Sequence, residues 1–175
     1  TLALGDLGVI PKNSAYEIAK KCNINLYNLT KIEKEIDQTK APIATLANFI
    51  SKKCKKKNQG FVHYGATTHN IMHTGMTLIL RNSHIQSMFR ISDCLKILSK
   101  LSYKHSNTVM IARTNGQHSM PITFGFKISE WAELILRLEE RFSEIEKRLF
   151  ILIFGGAVGA MHSFKGKKGA LYNNL

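Results

Sequence analysis

Apolar side chains return every three or four residues over most of the chain, the period of a helix with one dry face. Two stretches are long. In the first, Leu78, Ile85, Met88, Ile91, Leu95 and Leu98 form a continuous stripe, which predicts a helix over about Met76–His105. In the second, Phe124, Ile128, Trp131, Leu134, Leu138, Phe142, Ile145 and Leu149 predict a helix over about Thr123–Ile153. Helices of ~30 residues are ~45 Å long, longer than a single small globule can use. The expectation is an elongated bundle that completes itself with partner subunits. No strand-like alternation competes, so the predicted fold class is all-α.

Residues 11–57 read as short helices. Ser14-x-x-Glu17 and Thr30-x-x-Glu33 both fit a capping box, in which the hydroxyl accepts a first-turn N–H and the Glu reaches back. Leu29, Ile32 and Ile36 give one helix an apolar face. Pro42 suits the first turn of the next, whose Ile43, Leu46 and Ile50 point one way. Its end in Lys52, Lys53, Lys55, Lys56 and Lys57 complements the negative end of a helix dipole. The predicted organisation is a small helical domain over 1–60, then the start of a long-helix bundle over 61–175.

Composition narrows the classes. At 175 residues, 44% hydrophobic and 3 Pro, the chain is core-forming and about one domain long. Lys and Arg number 25 against 12 Asp and Glu, a surplus that points to anionic partners. Nucleic acid is not expected among them, because the lysine run reads as a solvated helix end without interleaved aromatics. Cys22, Cys54 and Cys94 form no CxxC and read as reduced thiols in a cytoplasmic protein. Leu149–Phe164 is uncharged but falls short of the ~20 apolar residues of a membrane span. The tail from Lys165 to Leu175 carries no stop signal, and the chain is expected to continue beyond it.

Two polar loops precede the two long helices. The first is Phe61-Val62-His63-Tyr64-Gly65-Ala66-Thr67-Thr68-His69-Asn70, continuing to Thr74. Its hydroxyls and the free N–H groups of a helix start make an anion site, or else Thr67, Thr68 and Asn70 simply cap the helix. The second is Ile111-Ala112-Arg113-Thr114-Asn115-Gly116-Gln117-His118-Ser119-Met120-Pro121. Arg113 offers a planar fork for a carboxylate or phosphate, with Thr114, Gln117 and His118 as neutral donors beside it. Alternatively Arg113 pairs with a helix carboxylate, and Asn115-Gly116 is a common turn pair.

His63-Tyr64-Gly65-Ala66-Thr67-Thr68 followed by Ile71-Met72-His73-Thr74-Gly75 resembles the first signature loop of the fumarase/aspartase superfamily. The run Thr108–Gly125 resembles the second, and Gly155-Gly156-Ala157-Val158-Gly159 the glycine-rich turn after the second long helix. Leu7-Gly8-Val9-Ile10-Pro11 looks like the entry to the first helical domain. The nearest branch is similar to adenylosuccinate lyase and 3-carboxy-cis,cis-muconate cycloisomerase. The resemblance implies elimination of fumarate from a succinyl-amine or succinyl-ether, with no metal or other cofactor. It implies a homo-oligomer, a tetramer whose active sites take loops from three subunits, and a small anionic substrate such as a dicarboxylate or succinylated nucleotide. It implies that His63, Thr67, Thr68, Arg113, Thr114 and Gln117 bind substrate.

Three positions depart from that pattern. Asn115 stands where the superfamily's second loop has the His that protonates the leaving group, and a carboxamide has no proton to give near neutral pH. Loss of such an acid costs ~10²–10⁴ in rate. His118, three residues further on, is at most a weak substitute. Asn70 and His73 stand where the first loop usually carries Asp. The third signature, Ser-Ser-x-Met-Pro-x-Lys-x-Asn with the base Ser, is expected beyond residue 175. The 175 residues alone are therefore not expected to turn over substrate. The alternative expectation is a catalytically degenerate homologue that binds ligand or partners.

Overall fold

The computed structural model describes residues 1–164, so the predicted tail from Lys165 onward lies outside the described residues. Four short helices come first: α1 (Leu2–Asp6), α2 (Lys12–Lys21), α3 (Leu29–Thr39) and α4 (Pro42–Lys53). Short 3₁₀ turns occupy Ile24–Leu26 and Lys56–Phe61. The long helices are α5 (Thr68–Lys104) and α6 (Phe124–Leu149). Between them β1 (Val109–Thr114) and β2 (Gln117–Thr123) pair antiparallel as a hairpin. The fold is mainly α, as the helical periodicity predicts, with one correction: the second loop is a two-stranded sheet. Among the described residues, no helix is long and apolar enough to cross a membrane.

The chain divides into two compact units. One comprises Thr1–Gly75 together with residues 152–164, the other Met76–Ile151. In the first, Leu4, Ile10, Ala15 and Phe164 form a buried cluster, with Val9, Phe61, Phe154 and Met161 packed around it. α1 and α2 touch closely enough to need Gly5, since a Cβ there would lie 2.6 Å from Cβ of Ala15.

Neither expected capping box forms. Ser14 lies inside α2, buried, and donates its hydroxyl to Oδ1 of Asn58 at 2.8 Å. Glu17 accepts from the Lys55 N–H at 2.6 Å and from Nδ2 of Asn58 at 2.5 Å. The two residues thus fasten α2 to the turn after α4 instead of capping their own helix. In α3 the cap is Asn28, whose side chain accepts the Lys31 N–H at 3.1 Å, not Thr30.

In the second unit only a small set of side chains is deeply buried. Ile128 is one and His84 another, its ring stacked on Phe142 and edge-on to Phe150. Nε2 of His84 lies 2.8 Å from a Glu146 oxygen. Much of the predicted apolar stripe stays on the surface of the single chain, including Leu78, Ile85, Trp131 and Leu134.

Candidate active site

The first loop folds against the glycine-rich turn. α5 begins at Thr68, eight residues before the predicted start, because Asn70 supplies what the helix end lacks. Its Oδ1 accepts the Thr67 N–H at 3.0 Å and the Gly156 N–H at 3.3 Å, and its Nδ2 donates to the Ile153 carbonyl at 3.2 Å. An N3 side chain reaching back to the N-cap N–H is half of a capping box. Asn70 is buried, and its position opposite both a carbonyl and two N–H groups suits an amide; an ionised carboxylate has no donor for Ile153.

Gly65 and Gly156 hold this junction together. Both have positive φ, +72° and +73°, and a Cβ on Gly65 would press within 3.0 Å of the Phe164 ring. Gly155 lies against Gly159, where a Cβ would come within 2.8 Å of the Gly159 Cα.

With Asn70 doing the capping, the threonines are spare. Among the described residues neither the Thr67 nor the Thr68 hydroxyl makes a hydrogen bond, and Thr68 is exposed. His63 sits half-buried at φ +63°, and burial pushes its imidazole below the usual histidine range. His73 has its Nδ1 buried without a hydrogen-bond partner among the described residues, with the His69 ring 6.1 Å away.

The second loop is a hairpin closed by Asn115 and Gly116, both with positive φ (+49° and +74°). A two-residue turn of this kind matches the twist of its strands, and Asn-Gly is the preferred pair for it. Thr114 faces Gln117 across the strands and Arg113 faces His118. Residues directly opposite share a face and neighbours alternate, so Arg113 and His118 project from one side and Thr114 and Gln117 from the other. Beyond them the register slips, with Ser119 and Met120 set against Ala112, because Ile111 pairs with Pro121.

Arg113, Thr114, Asn115, Gln117 and His118 are all exposed. Among the described residues Arg113 is in no salt bridge, so the reading in which a helix carboxylate holds it does not apply.

The hairpin stands on a rigid base. The Phe124 N–H bonds the Thr108 carbonyl at 2.8 Å, the Gly125 N–H bonds the His105 carbonyl at 2.9 Å, and the Ser102 hydroxyl donates to the Gly125 carbonyl at 2.8 Å. Thr123 then caps α6, accepting the Phe126 N–H at 3.1 Å.

A family of lyases matches the chain over residues 1–175. The chain belongs to the fumarase/aspartase superfamily. Adenylosuccinate lyase of Methanothermobacter thermautotrophicus is 34% identical over 157 residues, 90% of this chain and 35% of that protein. Trans-aconitate decarboxylase 1 of Mycosarcoma maydis is 33% identical over 158 residues, 90% of this chain and 32% of its own length. A crystal structure of fumarate lyase from Mesorhizobium sp. BNC1 superposes with a TM-score of 0.92 at 29% identity, over 98% of this chain and 40% of that one. The chain spans about a third of the length of the curated relatives it matches.

Of the two readings of Asn70, a helix cap or a lost carboxylate in a binding loop, its contacts are those of the cap, extended into a clasp on Ile153 and Gly156. The signal was present in its place three residues after Thr67, but its second and third partners lie more than 80 residues away.

Proposed function

We propose that these residues carry the first two substrate-binding loops of a superfamily lyase, which eliminates fumarate from a succinyl-amine of the adenylosuccinate type. In that reaction a base takes the proton from the carbon next to the departing group. The C–N bond breaks, the nitrogen leaves with a proton, and the double bond of fumarate forms. His63, Thr67, Thr68, Arg113, Thr114 and Gln117 are the proposed binding set, with the Arg113 guanidinium as the carboxylate fork on one face of the hairpin and Thr114 and Gln117 acting from the other. One observation carries the reading. The Arg113 hairpin is exposed, in no ion pair among the described residues, and fixed at its base. That is how a chain presents binding groups to a ligand or to a neighbouring subunit.

A homo-oligomer, on the superfamily pattern a tetramer in the cytoplasm, is part of the same proposal. Ile79, Phe89 and Leu134 are each more than 60% exposed on the long helices, and apolar surface of that extent marks an interface. Light scattering at micromolar concentration is expected to give a mass several times 19.7 kDa. A dispersed monomer overturns it.

The test of the chemistry is fumarate release from adenylosuccinate. The 175 residues alone are expected to release none, and to gain activity only when a segment bearing the third signature is supplied from an active relative. Fumarate is also expected to raise the melting temperature, and Arg113→Ala to remove that rise. Turnover by the 175 residues alone refutes the proposed division of the site.

A second reading, a homologue that binds but does not turn over, is favoured by Asn115. Its positive φ makes it a turn residue in its own right, and its amide offers no acid for the leaving nitrogen.

A further inference from the structure

Lys20 and Lys21 close α2, Lys53 closes α4, and Lys55 follows two residues later, after Cys54. With Asn13, Tyr16 and Glu17, these four lysines line one surface hollow of about 400 Å³. A second hollow of about 530 Å³ shares Asn13, Glu17 and Lys55 and adds Lys57. Among the described residues none of the five lysines is in a salt bridge.

Among the described residues Glu17 is the only acid lining either hollow, and both its oxygens are engaged, by the Lys55 N–H and by Nδ2 of Asn58. The negative ends of two helix dipoles offset about half a charge each. Most of the positive surplus is therefore left without a counter-charge from the protein.

We propose that this lysine-lined trough between α2 and the segment after α4 binds a linear polyphosphate, either inorganic or the phosphate chain of a nucleotide. Each hollow has the volume of an ordinary small-ligand site, roughly 300–1,000 Å³. A lysine ammonium is a compact, rotatable donor that takes phosphate as a point charge, so no fixed fork is required. A single exposed pair contributes little, which disfavours orthophosphate and selects a ligand that engages several lysines at once. Tyr16, 49% exposed at the edge of the first hollow, gives a nucleobase a ring to stack on. The proposal is independent of the lyase reading, since none of these residues belongs to the two signature loops.

Titration calorimetry on the whole 175-residue chain tests it with orthophosphate, tripolyphosphate, ATP and a short single-stranded oligonucleotide. Tripolyphosphate is expected to bind at least about tenfold more tightly than orthophosphate and to weaken with salt. The double variant Lys20→Gln/Lys53→Gln is expected to lose about tenfold in tripolyphosphate affinity, while Lys31→Gln/Lys34→Gln on α3 keeps it. If Tyr16→Ala weakens ATP but not tripolyphosphate, the ligand is a nucleotide; if it weakens neither, the ligand is the inorganic chain. Equal loss in the two double variants overturns the site, since overall charge then accounts for the binding. So does an oligonucleotide that outcompetes tripolyphosphate, which makes the trough a nucleic-acid surface.

Discussion

Asn70 accepts the backbone N–H of Gly156 at 3.3 Å, joining the start of α5 to a turn 86 residues later. The same side chain donates to the Ile153 carbonyl, so its two ends do different jobs. Asn70→Asp keeps the size and both acceptor contacts but turns a carboxylate oxygen toward that carbonyl. Leaving a buried acceptor unmet costs ~1–3 kcal/mol. Urea denaturation is expected to show a loss of that order, even though Asp is the residue the superfamily pattern has here. A neutral result would mean the amide end holds nothing.

Two glycines separate close approach from mere flexibility. Gly125 opens α6 under the end of α5, where a Cβ would overlap the Ser102 carbonyl and come within 2.8 Å of His105 and Ser106 backbone atoms. Backbone cannot give way as a side chain tip can, so Gly125→Ala is expected to cost ~1–3 kcal/mol. Gly75, inside α5, has no atom within 4 Å of where its Cβ would be. Gly75→Ala is expected to stabilise by ~0.5–1 kcal/mol, because alanine loses less backbone freedom in a helix. Melting temperatures of the two variants moving in the same direction would contradict this.

Both long helices and the short α4 are legible from periodicity and from Pro42. The hairpin is not, because the slip opposite Ala112 breaks the alternation that marks strands, although Asn115-Gly116 signals its turn. The start of α5 is hidden for a different reason. Thr67, Thr68, His69 and Asn70 have the composition of a loop, and only a side chain already inside the helix supplies the missing cap. Ser14 and Glu17 carry a local motif, but Asn58 and Lys55, around 40 residues on, take their hydrogen bonds. Local spacing marks the bodies of the helices; distant partners decide which polar side chains cap and which clasp.

Glu17 gives the stability a pH dependence. The Lys55 N–H above all, with help from Asn58, Lys55 and Lys21, holds its carboxyl below the ordinary value of 4.5. The ionised form is thus favoured in the folded chain. The stabilisation is complete above pH 4.5 and is lost as pH falls through the lower, folded value. Glu17→Gln is expected to lower stability at neutral pH and to flatten the acid limb of a denaturation profile below pH 4.5. Parallel profiles for the two proteins would show that the contact from α2 to Lys55 does not matter to folding. His63 acts in a separate window nearer neutrality, since burial disfavours its charged form and costs stability as pH falls below 6.5.

Asn115 lets fold and chemistry be tested at one position. Its φ of +49° is a conformation that glycine takes freely, that Asn and His reach more readily than most residues, and that β-branched residues avoid. Asn115→Gly is therefore expected to change stability by a few tenths of a kcal/mol at most. Asn115→Val is expected to cost ~1–2 kcal/mol, the penalty of a left-handed residue with a crowded Cβ. Asn115→His lies between them and keeps the turn, so a proton donor can be installed without rebuilding the hairpin. By itself it is expected to release no fumarate, because acid and base act as a unit and the base-bearing signature is not in these 175 residues. With that segment supplied, Asn115→His is expected to raise release ~10²-fold or more over the parent. Asn115→Gly under the same conditions is expected to add nothing, since it frees the turn but brings no proton. The comparison also judges His118, which faces Arg113 across the strands and stays in place in every variant. If the parent with the segment is already as fast as Asn115→His, the acid is supplied elsewhere, and His118→Gln is the next substitution to assay.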